Sequence, residues 1–140
     1  MWRYLLQLIR PGQWSFRFGA QTIQFDRRIW DIVQISDTFV LQFADTDYNL
    51  DDPMQGRNIE AYDASGQLLW RIEGTGVTFP SSWRQIAWGW GRRVQHEVPE
   101  SYMSLWLDEQ TGDLMAASIS TRYVIDPETG LHLSSEYKDR

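Results

Sequence analysis

The chain has no cysteine. That excludes a disulfide scaffold, a thiolate zinc centre and a cysteine nucleophile, and it fits a reducing compartment, so a cytoplasmic location is expected. Histidine is scarce as well, with His96 and His132 as the only two. His96-Glu97 opens like a zinc-protease helix, but no second histidine follows at the required spacing. Two histidines without cysteine are too few for an ordinary zinc site, and a Ser/His/Asp triad needs tertiary geometry that spacing does not supply. Basic charge is the minority: 13 Lys and Arg stand against 19 Asp and Glu, for a net charge of −6. Nucleic-acid binders draw their affinity from phosphate neutralisation, so no nucleic-acid partner is expected. Long apolar runs are missing too. The stretch Met1 to Arg10 is interrupted by Gln7 and stopped by Arg10-Pro11, which is too short for export or for crossing a bilayer. Gly74-Thr75-Gly76 lacks the glycine or Gly-Lys-Ser/Thr that would complete a phosphate loop. Acidic pairs such as Asp108-Glu109 fall in turns, where solvation is poor ground for a general acid. No enzyme, no cofactor and no membrane partner are expected from these absences.

What is present is a globular composition. Of 140 residues, 42% are hydrophobic and 14% aromatic, with 8 tryptophans, too rich in large side chains for a disordered chain. A chain of this length buries about two thirds of its unfolded surface and makes one domain, taken as residues 1–140.

The prevailing period is two. Trp14, Phe16 and Phe18 alternate with Ser15 and Arg17, Gly19-Ala20 turns the chain, and Thr22 to Phe25 returns. Ile29 to Ile35 and Phe39 to Ala44 form a second pair around Ser36-Asp37, and Asn58–Tyr62 with Gln67–Glu73 a third. In that third pair Leu68, Trp70 and Ile72 are expected on one face, Trp70 buried between hairpins, with Leu69, Arg71 and Glu73 on the other. Tyr102–Leu107 with Leu114–Ile119, then Arg122–Ile125 with Leu131–Tyr137, complete the series. Two short segments depart from it. Trp2, Leu5, Leu6 and Ile9 have helical spacing, although alternation there also permits a strand. Pro80 to Gln85 opens like a helix, with Ser82 and Gln85 at capping-box spacing, and Gly89 and Gly91 limit it to about two turns. The fold class is therefore mainly β: antiparallel hairpin meanders, as blade-like sheets, a sandwich or an open barrel, with one or two short helices.

Three turns share one grammar: Asp63-Ala64-Ser65-Gly66, Asp108-Glu109-Gln110-Thr111-Gly112 and Asp126-Pro127-Glu128-Thr129-Gly130. The aspartate accepts backbone N–H bonds across the turn, Pro127 fixes φ, and glycine supplies the positive φ that closes it. Ala61-Tyr62-Asp63-Ala64-Ser65-Gly66-Gln67-Leu68-Leu69-Trp70 resembles the tryptophan-docking repeat of quinoprotein (PQQ-like) β-propellers, one residue short between Asp and Gly. Val124 to Gly130 keeps the turn length of that repeat but has Ser134 where the tryptophan would stand, and the Asp108 segment keeps only the turn. The resemblance implies two four-stranded blades, residues 29–73 and 102–137. A closed propeller needs at least about four blades, so quinone-binding residues do not carry over. The chain is also similar to small bacterial proteins of the same hairpin grammar, a likeness that implies a fold and no activity.

Two segments hold the candidate site residues. Asp45, Asp47, Asn49 and Asp51 place oxygens at alternate positions, as at the start of a calcium loop. Leu50 stands where such a loop needs glycine and Gly56 where it needs the bidentate glutamate, so an acidic, solvated turn is the plainer reading and no metal is expected. Trp83, Arg84, Trp88, Trp90, Arg92 and Arg93 form a positive aromatic island in an acidic chain. Tryptophan and arginine are the types most enriched at binding hot spots, and they also stack on sugars or bases. The bland alternative is that the rings cover an open end of the core with arginine stems packed over them. The expected function is a non-catalytic protein-interaction module, such as an immunity-type or regulatory binder whose partner is another protein. The alternative is a small-ligand or carbohydrate-binding domain using the tryptophan segment. A histidine facing a carboxylate in a closed concave pocket would instead favour an enzyme.

Overall fold

The computed structural model describes residues 13–44, 55–80 and 97–137. Both helix expectations, over residues 2–9 and 80–90, fall wholly or mostly outside these; among the described residues there is no helix, and so none long and apolar enough to cross a membrane. The described residues hold eleven strands in chain order: β1 (Gln13–Phe18), β2 (Gln21–Ile35), β3 (Thr38–Phe43), β4 (Ile59–Tyr62), β5 (Leu68–Arg71), β6 (Thr78–Pro80), β7 (Glu97–Pro99), β8 (Ser104–Leu107), β9 (Leu114–Ala117), β10 (Thr121–Ile125) and β11 (His132–Tyr137). They make two antiparallel meanders and a small ribbon. One sheet has the order β1-β2-β3-β4-β5, the second β11-β10-β9-β8, and β6 pairs with β7. The five hairpin pairs read from alternation all form.

The first sheet is larger than the blade expected over residues 29–73, because β2 is continuous. Its first residues pair with β1, the register then jumps from Ser15↔Gln24 to Gln13↔Ile29, and Ile29 to Ile35 pair with β3. The unpaired stretch between lets β2 bend, and the β1–β2 hairpin folds over the outer face of β3 and β4. Ring contacts mark the fold-over. Phe18 of β1 meets Phe39 of β3 and Tyr62 of β4 at 5.7 and 5.4 Å between ring centroids, although neither strand neighbours β1. Phe25 meets Phe43 and Tyr62 in the same way. The first sheet is thus apolar on both faces.

Its other face forms the main core with the second sheet. Val40, Ile59, Ala61, Trp70 and Ile72 meet Tyr102, Leu105, Leu114, Ala116, Tyr123 and Ile125, all buried. Trp70 is buried as its alternation implies, and its indole Nε1 donates to Pro127 O at 2.9 Å, in the turn between β10 and β11. Leu68 corrects the simple two-face reading of β5. Ala61 pairs with Trp70 but Tyr62 with Leu68, so Leu69 is an extra, bulged residue and both leucines are exposed. The β10–β11 hairpin repeats the device: Val124 pairs with Ser134 and Ile125 with His132, leaving Leu133 as the extra residue.

The three aspartate–glycine turns form alike but carry different loads. Asp63 Oδ1 accepts from the Ser65 and Gln67 amides, Asp108 Oδ1 from Gln110 and Asp126 Oδ1 from Glu128. Gly66 and Gly130 hold positive φ and have no room for a side chain. A Cβ on Gly66 would sit 2.6 Å from Ile23 Cδ1, and one on Gly130 only 2.5 Å from Trp70 Cε3. Each of these turns is therefore a seat: Gly66 for the β1–β2 hairpin, Gly130 for Trp70. Gly112 has the same φ sign with nothing near it.

Candidate functional site

The candidate residues singled out in the sequence, Trp83, Arg84, Trp88, Trp90, Arg92 and Arg93, lie outside the described residues, as do Asp45, Asp47, Asn49, Asp51 and His96. Among the described residues, no group of three or more His, Asp or Glu is placed to hold a metal ion. Three other places gather polar or exposed apolar groups.

The first is under the folded-over hairpin. Glu60 sits on β4 between Ile59 and Ala61, so alternation turns it to the outer face of the first sheet, where it is buried. Both carboxylate oxygens are occupied. Tyr62 Oη donates to Oε1 at 2.5 Å, while Arg27 Nη2 and Arg71 Nε donate to Oε2 at 2.8 and 2.7 Å. Arg27 also lies over the Phe43 ring, 4.3 Å from its centroid. Burial alone would raise the Glu60 pKa, but the Tyr62 hydroxyl and the two guanidinium groups outweigh it and hold the carboxyl below its usual range. The Tyr62 hydroxyl is pushed well above its ordinary value by burial and by the carboxylate it serves. Nothing in the strand pattern marks Glu60 as buried, because a charge alternating with Ile59 and Ala61 reads as solvent-facing.

The second lies at the seam of the two sheets. Asn58 Nδ2 donates to Phe43 O and Tyr102 O at 2.8 and 2.9 Å, and the Tyr102 amide donates back to Asn58 Oδ1 at 2.9 Å. This pins the start of the second sheet to the first. The Tyr102 hydroxyl donates to Glu73 O and meets His132 Nε2 at 2.7 Å. With its proton on the carbonyl, the hydroxyl accepts from His132, which fixes the Nε2–H tautomer. His132 Nδ1 then faces Glu73 Oε1 at 3.7 Å, and the same carboxylate oxygen accepts from the His132 amide at 2.9 Å. Tyr123 stacks on the imidazole with 4.2 Å between centroids. Burial pulls the His132 pKa below its ordinary value against the opposing pull of Glu73, and pushes the Tyr102 hydroxyl far up. A histidine does face a carboxylate here, but its ring is clamped between Tyr102 and Tyr123.

The third is one edge of the second sheet, β11, with β8 at the other. Among the described residues β11 pairs with β10 alone. Leu133 and Tyr137 lie on it at 63% and 76% exposure, and Leu131, just before the strand, is at 55%. Single exposed apolar side chains are ordinary, but two on one short edge strand with a third just before it form a row. Alternation in the sequence marks the strand and gives no sign of its edge position, which depends on which hairpin ends the meander.

A model of the family described as Domain of unknown function (DUF7957) matches residues 13–137, and the chain belongs to that family. No curated protein and no solved structure matches it.

Proposed function

We propose that this family member is a non-catalytic protein-interaction module, a regulatory or immunity-type binder that engages its partner by strand addition along β11. One observation carries the reading: an edge strand with two large apolar side chains in solvent and a third just before it. Sheet edges attract further strands, and natural proteins protect them with lysine, proline, inward charges or very short strands. The strand His132–Tyr137 has no lysine or proline and a single carboxylate, Glu136, together with one bulge at Leu133. Strand addition uses such an edge, main-chain bonds giving affinity and alternate side chains giving specificity. The polar clusters support a non-catalytic role from the other side. Both oxygens of Glu60 and the hydroxyl of Tyr102 are bonded within the fold, so those groups hold strands together.

Affinity capture from the native cell with the tagged chain and with Leu133→Lys tests this. The substitution changes an exposed side chain and should leave circular dichroism and melting unchanged. It is expected to weaken capture at least about tenfold, equivalent to ~1.4 kcal/mol. Undiminished capture by the folded variant would place the binding surface elsewhere.

A further inference from the structure

We infer that Glu73 and His132 form a binding site for a divalent first-row transition ion such as zinc, held by one imidazole nitrogen and one carboxylate, with water on its open side. The site stands apart from the reading of β11 as an interaction edge, and either can fail alone. Spacing does not show it, because the two residues lie 59 positions apart. Glu73 follows β5 of the first sheet and His132 opens β11 of the second. Their atoms leave a gap suited to a cation. The Tyr102 hydroxyl gives its proton to Glu73 O and accepts from His132 Nε2–H at 2.7 Å, so Nδ1 carries a lone pair. That lone pair stands 3.7 Å from Glu73 Oε1. Two acceptors thus face each other with no donor between them. No lysine or arginine among the described residues forms an ion pair with Glu73. The proton that would otherwise fill the gap is absent at neutral pH, because burial holds the His132 pKa below its ordinary value.

The donor set selects the ion. Imidazole with carboxylate suits zinc and its neighbours, whereas magnesium and calcium take oxygen donors. An ion about 2.1 Å from each of two donors 3.7 Å apart subtends an angle of roughly 120°, close to tetrahedral. The ring is already held as a metal-binding ring must be. Tyr123 stacks on it at 4.2 Å, and Tyr102 fixes its tautomer through the far nitrogen. The Glu73 side chain is 47% exposed against 15% for His132, so the ion enters from the Glu73 side and keeps water there. Among the described residues no third His, Asp or Glu joins the pair. Water therefore completes the coordination, and binding is weaker than at a structural zinc centre with four protein ligands.

Calorimetric titration of the full chain with zinc chloride at neutral pH, with melting followed in parallel, tests the site. Wild type is expected to bind a single ion and to melt at a higher temperature with zinc but not with magnesium. His132→Gln and Glu73→Gln should each weaken zinc binding at least about tenfold. Tyr102→Phe should weaken it about 10–100-fold, the usual loss when the group that orients a metal-bound histidine is removed. His96 is the only other histidine, so His96→Gln should bind as wild type does. Imidazole resonances of the unsubstituted chain give a readout that no loss of folding can imitate: zinc should shift those of His132 and leave those of His96 in place. Neither heat nor a melting shift up to millimolar zinc would overturn the site. So would binding that persists in a folded His132→Gln, or that moves the His96 resonances alone.

Discussion

At the scale of single residues, Trp70 and Glu60 stand back to back on neighbouring strands and anchor opposite faces of the first sheet. Trp70 fills the core between the sheets and bonds Pro127, so Trp70→Ala should cost about 3–5 kcal/mol by urea titration, the usual range for emptying a large aromatic site. A loss under about 1 kcal/mol would place the indole in solvent. Glu60→Gln keeps the shape but leaves Arg27 and Arg71 facing a neutral amide. Removing one partner of a buried pair is costly, but both arginines are partly exposed and can recover water. A cost of about 1–3 kcal/mol in the same titration is expected. The burial of Trp70 was legible because its alternation with Arg71 survives in the structure. The exposure of Leu68 was not, since the bulge at Leu69 reverses the face and leaves no local trace. Glu60 was hidden for a different reason: its cover, the β1–β2 hairpin, arrives from more than thirty positions away.

The hairpins are the elements that local chemistry specifies best. Their turns are rich in aspartate and glycine, and all five pairings could be read from them and from alternation. How the hairpins join was not legible, because the bend in β2 and the order of strands depend on contacts between distant segments. The glycines of the turns make that difference measurable. At Gly112, alanine meets only the cost of a positive φ, about 1–2 kcal/mol. At Gly130 the same change adds a methyl 2.5 Å from Trp70, so the indole must leave its seat. Gly130→Ala should therefore destabilise by at least about 1–3 kcal/mol more than Gly112→Ala, the range for overpacking a tight site. Equal losses in parallel urea titrations would mean that Trp70 does not press on the turn.

Across the whole molecule, two titrating groups join distant parts and act in the same direction on acidification. His132 has its pKa lowered in the folded state, chiefly by burial, from an ordinary value of 6.5. The unfolded chain therefore takes up its proton first, and stability falls as pH drops through 6.5 towards the lower folded value. Glu60 is held below its ordinary 4.5, so its contribution is present above that pH and is lost as pH falls through the folded value. Urea midpoints should decline in two stages below neutrality, and His132→Gln should flatten the first while leaving the second. A midpoint unchanged between neutrality and pH values just above 4.5 would contradict the burial of neutral His132.

The same two meanders place β11 at an edge, as the proposed function requires. Backbone hydrogen exchange of the full chain, alone and with the captured partner bound, reports on that edge most directly. Amides between Leu133 and Tyr137 should gain protection in the complex, while those of β1, at the far edge of the other sheet, do not change. Protection along β11 that is the same with and without the partner would contradict strand addition at that edge.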